Sequence, residues 1–210
     1  MKLLKYFAMS LVAFAMAACA NETKTMDDTA KECDATKAVI ENIMTRTSIR
    51  SFTDQPIAKD TLDLIVKAGM AAPSAVNAQP WAFIIITEKE ILDSLNSIKP
   101  WFNLKTATAA VVVCGDMNKA MEGTGREYWI QDCSAATENI LLAAHAYGIG
   151  AVWCGVYPSP DIVEGVSKTL NLPENFIPLN VVTMGYPAEN PEPKDKFKTE
   201  NIYYQKWSEK

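Results

Sequence analysis

Two of the three arginines in this 210-residue chain fall within five residues, in Arg46-Thr47-Ser48-Ile49-Arg50. In a protein of net charge −5, that concentration asks for an anionic partner. A guanidinium offers a planar fork that makes two parallel charge-assisted hydrogen bonds to a phosphate or carboxylate, and neighbouring hydroxyls can take the remaining oxygens. The stretch reads as a phosphate seat; the competing reading is surface pairing of the arginines with Asp54 or Glu41, which is worth little when exposed. A second segment, Ala72-Pro73-Ser74-Ala75-Val76-Asn77-Ala78-Gln79-Pro80-Trp81, carries three uncharged hydrogen-bonding side chains between two prolines and suits a heteroaromatic ring better than a metal. A third, Trp153-Cys154-Gly155, sets a large ring beside a glycine at the end of an apolar run.

What is missing is equally informative. The sole histidine, His145, lies in a helix of small residues and reads as a packed residue rather than a ligand. The chain has no nucleophile elbow, no glycine-rich phosphate loop and no carboxylate pair at metal-ligand spacing. With little side-chain acid, base or nucleophile on offer, the three segments together suit a phosphorylated aromatic cofactor that performs the chemistry itself.

The elements that must position these segments emerge from periodicity. Apolar residues Ala38, Val39, Ile43 and Met44 share a helical face over 35–45, so the arginine stretch begins at a helix end, and Leu62, Ile65, Val66 and Met70 repeat the pattern over 59–70. Residues 81–87 form a strand without polar alternation, as expected of one covered on both faces. Thr87-Glu88-Lys89-Glu90 fits a capping box opening a helix to about Ile98. Strands are predicted over 109–114, 151–156 and 179–184, with strand character returning at Ile202-Tyr203-Tyr204. The longest helix, 128–147, has a seam of Ala135, Ala136, Ile140, Ala143 and Ala144 that permits close packing against another helix. Residues 116–126, with Gly123 and Gly125, read as a lid or a surface excursion. Helices alternate with buried strands around one central sheet.

The N-terminus reads as an export signal: Lys2 and Lys5, an apolar run over 6–15, then Met16-Ala17-Ala18-Cys19. Cysteine placed straight after two alanines resembles a bacterial lipobox, with Cys19 as the lipidated first residue of the mature chain. On this reading residues 1–19 are a signal peptide, 20–34 a polar tether and 35–210 the folded domain. Losing Lys2 and Lys5 takes the charge from −5 to −7, which argues against nucleic acid and against an electrostatic membrane patch. Cys33, Cys114, Cys133 and Cys154 match no zinc spacing and are expected to be buried and reduced.

Taken together, the segments resemble the nitroreductase family of FMN-dependent oxidoreductases. The family's Arg-x-Ser-x-Arg signature stands at 46–50, its proline-serine loop at 72–81, and its long central helix at Asp132-Cys133-Ser134-Ala135-Ala136 onward to Gly148-Ile149-Gly150, with Gly185-Tyr186-Pro187 and a basic tail beyond. The resemblance implies an α+β sandwich with a central, mostly antiparallel sheet flanked by helices, and a homodimer holding FMN in two interfacial clefts. It places Arg46, Ser48 and Arg50 on the phosphate and ribityl end, Pro73, Ser74 and Asn77 along the flavin, and Trp153, Cys154 and Gly155 beside the ring, with the backbone near Gly155 at its N5 edge. Lys194 and Lys196 stand where family members place a lysine and an arginine on the phosphate. The implied activity is ping-pong hydride transfer from NAD(P)H to nitroaromatics, quinones or similar small acceptors. An envelope address, remote from reduced nicotinamide, keeps a second expectation open: a flavin-binding or flavin-scavenging lipoprotein with little turnover.

Overall fold

The computed structural model describes residues 26–207, so the signal segment, Cys19 and residues 20–25 of the tether lie outside the described residues, as does the side chain of Cys33. The chain divides into two units between Val39 and Ile40, and the sheet and every strand belong to the second. Among the described residues, five helices, α1 (Met26–Thr45), α2 (Lys59–Met70), α3 (Lys89–Ile98), α4 (Tyr128–Ala146) and α5 (Pro160–Thr169), accompany four strands, β1 (Trp81–Ile86), β2 (Ala109–Asp116), β3 (Gly150–Gly155) and β4 (Phe176–Gly185). The strands form one sheet in the order β1-β2-β4-β3, antiparallel at every pairing.

Two helical layers cover the sheet, and side-chain alternation sorts the core between them. Ala109, Val111 and Val113 of β2 face α2 and α4, where they meet Leu62, Ile65, Cys133, Ala136 and Ile140. Ala110, Val112 and Cys114 face the other way, towards Leu92 and Leu95 of α3 and Ile162 and Val166 of α5. Every residue of β2 is buried, which explains its unbroken apolar sequence. The small-residue seam of α4 does pack on a helix. Ala136, Ile140 and Ala144 are buried against α2, whose Gly69 sits so close that an added Cβ would lie 2.8 Å from Ile140 Cγ1. Asn139 Nδ2 clasps the pair by donating to the Ala68 carbonyl at 3.1 Å.

Several boundaries differ from the sequence expectation. Helix α1 begins at Met26 rather than 35, since neither proline nor glycine interrupts 26–45 and polarity alone does not stop a helix. The capping box at Thr87 is not made: Glu88 occupies the N-cap position and no side chain caps the helix, so Thr87 stands one residue too early. Strand β4 starts at Phe176, three residues before the apolar run, because Pro178 sits at a bulge. The register with β2 shifts between Val113 and Cys114, and the extra residue, Leu179, has its carbonyl accept from the N–H groups of Val156 and Tyr157 at 3.0 and 3.1 Å. Ile202 is extended, yet the sheet does not include 202–204. Segment 116–126 is pinned at its start, where the Asp116 carbonyl accepts from Lys119 and Ala120 and its carboxylate from Asn118 N and Asn175 Nδ2.

At one end of the sheet Gly150 and Gly185 face each other across β3 and β4. A Cβ at Gly150 would meet Ile49 Cγ2 at 2.8 Å, and one at Gly185 would meet Phe52 Cβ at 2.7 Å. The glycine pair thus leaves a flat patch on which residues 49–52 lie, burying Ile49 and Phe52. We predict that Gly185→Ala lowers stability by about 1–3 kcal/mol, as overpacking does, while Gly155→Ala, where nothing lies within 4 Å of the new carbon, leaves it within about 0.5 kcal/mol. Urea unfolding of the two variants checks this; equal midpoints would contradict it.

Candidate functional site

The arginine stretch leaves the end of α1 and meets the outer edge of β3 at Ala151 before crossing the end of the sheet. Ser48 bridges to Ala151 in parallel fashion and Ile49 N donates to the Ala151 carbonyl at 3.1 Å. Further on, Thr53 N donates to the Tyr186 carbonyl and Ala188 N to the Ser51 carbonyl, both at 2.9 Å, so residues 51–53 run antiparallel beside 186–188. The backbone around Arg50 is thereby held on either side in sequence, at Ile49 and at Ser51–Thr53.

Arg46 is 17% exposed and its Nε lies 3.8 Å from Glu138 Oε1 of α4. It lines a cavity of about 290 Å³ together with Thr45, His145, Gly148, Glu189 and Pro193. Arg50 is exposed, its guanidinium reaching only the Ser48 carbonyl at 3.4 Å among the described residues. At this distance the bond is weak, which leaves the fork open to a ligand. Among the described residues, neither Asp54 nor Glu41 pairs with these arginines. Besides Glu138, the carboxylate of Glu189 approaches the stretch at its backbone, its Oε1 accepting from the N–H of Arg50 at 2.5 Å and of Ser51 at 3.1 Å.

His145 is a packed residue: its Nε2 lies 2.9 Å from Thr45 Oγ1. The Thr45 hydroxyl donates to the Glu41 carbonyl at 2.7 Å, so its oxygen accepts from His145 Nε2–H, and that tautomer is the neutral form held here. Burial first, and the Arg46 charge second, push the imidazole below its usual range. Because the unfolded chain takes up this proton more readily, the contribution to stability is complete above the ordinary histidine value of 6.5 and declines as pH falls below it. His145→Gln is therefore expected to flatten the loss of stability between pH 7 and pH 5, measured as the change in urea midpoint; an undiminished loss would contradict the assignment.

Residues 153–155 divide between the faces of β3. Trp153 and Gly155 are exposed on the α4 side, whereas the Cys154 side chain points into the opposite core, with Sγ 3.4 Å from the Trp101 carbonyl and 3.5 Å from that of Phe102. The thiols of Cys114, Cys133 and Cys154 are free and buried, and burial pushes the first two up to about 12. None of them is a nucleophile at neutral pH. Since Ala151 directs its carbonyl outward to Ile49, alternation directs the N–H groups of Trp153 and Gly155 to the same outer edge. Gly155 also has open space above its Cα. A planar ring can therefore approach this edge closely and receive a backbone hydrogen bond. Opposite Gly155 stands Asn180, fully buried, its Nδ2 donating to Thr137 Oγ1 at 2.9 Å while its Oδ1 has no partner among the described residues.

The polar loop is held elsewhere on α4. Ala75–Asn77 forms a short 3-10 turn in which Val76 and Asn77 adopt left-handed φ of 48° and 58°, with Gln79 at 49° just beyond. For a β-branched valine such a backbone is costly and persists only where the surroundings fix it. The fixing group is Asp132, buried in α4, whose carboxylate accepts from Ala75 N at 2.8 Å. Ser74 Oγ accepts from Gln79 N at 3.0 Å, and Asn77 Oδ1 from Gln79 Nε2 at 3.0 Å. Pro73 and Asn77 are exposed and Ser74 half-buried. Asp132 and Glu138 are six positions apart on α4, roughly 9 Å along the axis, and on different sides of it. One chain therefore does not gather the loop and the arginines into a single cluster. Lys194 and Lys196 are exposed just beyond Pro193 of the Arg46 cavity.

Sequence reasoning passes over Asp132, Glu138, Glu189 and the Gly150–Gly185 pair. Asp132 and Glu138 lie in the central helix block, where spacing gives them no role, and Glu189 stands just past the Gly185-Tyr186-Pro187 segment. The two glycines read locally as the end of a helix and the end of a strand.

This is an α+β fold with two arginines near an open backbone edge, and the chain belongs to the Nitroreductase family, whose model matches residues 43–99 and 99–186. A protein of Methanothermobacter thermautotrophicus, provisionally named an NADH dehydrogenase/NAD(P)H nitroreductase, is 43% identical over 171 residues, covering 80% of this chain and 87% of its own length. A solved structure from Parabacteroides distasonis, provisionally named in the same way, matches with a TM-score of 0.76 at 43% identity, over 81% of this chain and 99% of the other. An FMN-dependent nitroreductase from Clostridium difficile R20291 matches with a TM-score of 0.73 at 27% identity, over 80% and 99%.

Proposed function

We propose that this oxidoreductase binds FMN and uses it to pass hydride from NAD(P)H to small acceptors such as nitroaromatics or quinones, in a ping-pong cycle. The observation that carries this reading is that the Arg46–Arg50 segment is anchored at Ala151 on the same outer edge of β3 to which Gly155 turns its N–H. From the Ser48–Ala151 bridge to Gly155 is roughly 13 Å along the strand, a length that accommodates a phosphate, a ribityl chain and the edge of a tricyclic ring. Bound there, FMN supplies the hydride chemistry. The chain's own residues bind and orient: Arg46 and Arg50 compensate the phosphate charge with Ser48 beside them, the outward N–H of Gly155 hydrogen-bonds the ring edge, and Trp153 flanks it. Lys194 and Lys196 extend the positive field from the tail. No side chain needs to act as acid or base, in keeping with a neutral, engaged His145 and thiols held protonated.

The active form is inferred to be a homodimer. Support comes from the separation of the Asp132-anchored loop from the arginines within one chain, so that Pro73, Ser74 and Asn77 complete the cleft of a second copy. Exposed Ile40, Ile43 and Met44 on α1, with Tyr147, supply apolar surface for such a contact. The address we propose is the cell envelope, through lipid on Cys19, on the strength of the N-terminal signal pattern. Purified protein is expected to be yellow and to bleach with NADPH or NADH, and faster reoxidation by a nitroaromatic or quinone than by oxygen alone separates a reductase from a flavin store. Arg46→Ala combined with Arg50→Ala is expected to release FMN with the far-ultraviolet circular dichroism unchanged; retained affinity in that variant overturns the assignment.

A further inference from the structure

The ribbon formed by 51–53 and 186–188 ends at Ala188, whose N–H donates to the Ser51 carbonyl. Beyond it the chain enters Glu189-Asn190-Pro191-Glu192-Pro193, and the backbone N–H groups of Arg50 and Ser51 are left without a ladder acceptor. Both converge instead on one atom, Glu189 Oε1, at 2.5 and 3.1 Å. Two backbone N–H groups converging on one side-chain oxygen define its position, and that oxygen in turn defines theirs. Glu189, Pro191 and Pro193 also wall the cavity that Arg46 lines. One side chain therefore sets the backbone of Arg50 and brings the tail to the cavity.

We propose that Glu189 is a positioning residue for the anion seat: its carboxylate fixes the Arg50–Ser51 backbone and places the proline run against Arg46. This rests on the FMN reading of the same site. It makes the acceptor oxygen, rather than the negative charge, the element that matters, because the bonds are made to backbone N–H groups and not to a guanidinium. A glutamine keeps the acceptor and loses the charge; an alanine loses both. An effect through the seat also falls on the phosphate end of the ligand and spares the ring end.

The test uses the full chain in three forms: unchanged, Glu189→Gln and Glu189→Ala. FMN and riboflavin, which lacks the phosphate, are each titrated by flavin fluorescence, and hydrogen exchange is measured in flavin-free protein for peptides covering 46–53 and β2. The expected result is about a tenfold loss of FMN affinity in Glu189→Ala, equivalent to about 1.4 kcal/mol, with riboflavin binding unchanged and Glu189→Gln within about twofold of the parent. Peptides over 46–53 should exchange faster in the alanine variant only, with β2 unaffected in all three. Unchanged FMN affinity in Glu189→Ala, equal losses for FMN and riboflavin, or a glutamine variant as impaired as the alanine one would each overturn the proposal. If the unchanged protein binds no FMN, the cofactor reading fails separately, and unaltered exchange over 46–53 in flavin-free Glu189→Ala still refutes the role given to Glu189.

Discussion

Ile49 and Phe52 pressed onto the facing glycines Gly150 and Gly185 are the contact on which the site depends. Burying two such side chains is worth about 1.5–3 kcal/mol each, whereas the long, half-exposed ion pair of Arg46 with Glu138 is worth about 1 kcal/mol at most. Apolar packing therefore holds the arginine strand in place and the charges ride on it. That order of strengths suits a seat for an anion. Had the arginines been tied down by carboxylates, those carboxylates would compete with a phosphate for the same forks.

The buried parts of this arrangement were legible in the sequence and the backbone contacts were not. Residues 109–114 show nothing but small and branched apolar side chains, so a strand covered on both faces could be read directly, and the same holds for the α4 seam. Pro178 concealed the start of β4, because a proline usually excludes a central strand and nothing local announces a bulge. Gly150 and Gly185 lie far apart in the chain, and their shared task emerges only when register sets them side by side. Asp132 is equally opaque: a carboxylate in a helix that also carries Glu138 and Asn139 has no spacing that reveals a loop N–H 57 residues away.

The same limit governs the segment at 153–155. The run Trp-Cys-Gly suggests three neighbours acting together, yet the period of two in a strand puts the middle side chain on the other side of the sheet. Only Trp153 and Gly155 share a face, and only they turn backbone N–H groups to the free edge. A cysteine between two exposed residues invites a reactive role; strand geometry removes it. The arginines, by contrast, stand out in the sequence by rarity, since the chain has three and two of them fall within five residues.

The interior thiols also make the protein chemically quiet. At a pKa of about 12, roughly one Cys114 or Cys133 side chain in 10⁵ is a thiolate at pH 7, and exchange with disulfides proceeds through the thiolate. A domain built this way can sit in an oxidising compartment without these two core sulfurs being drawn into cross-links.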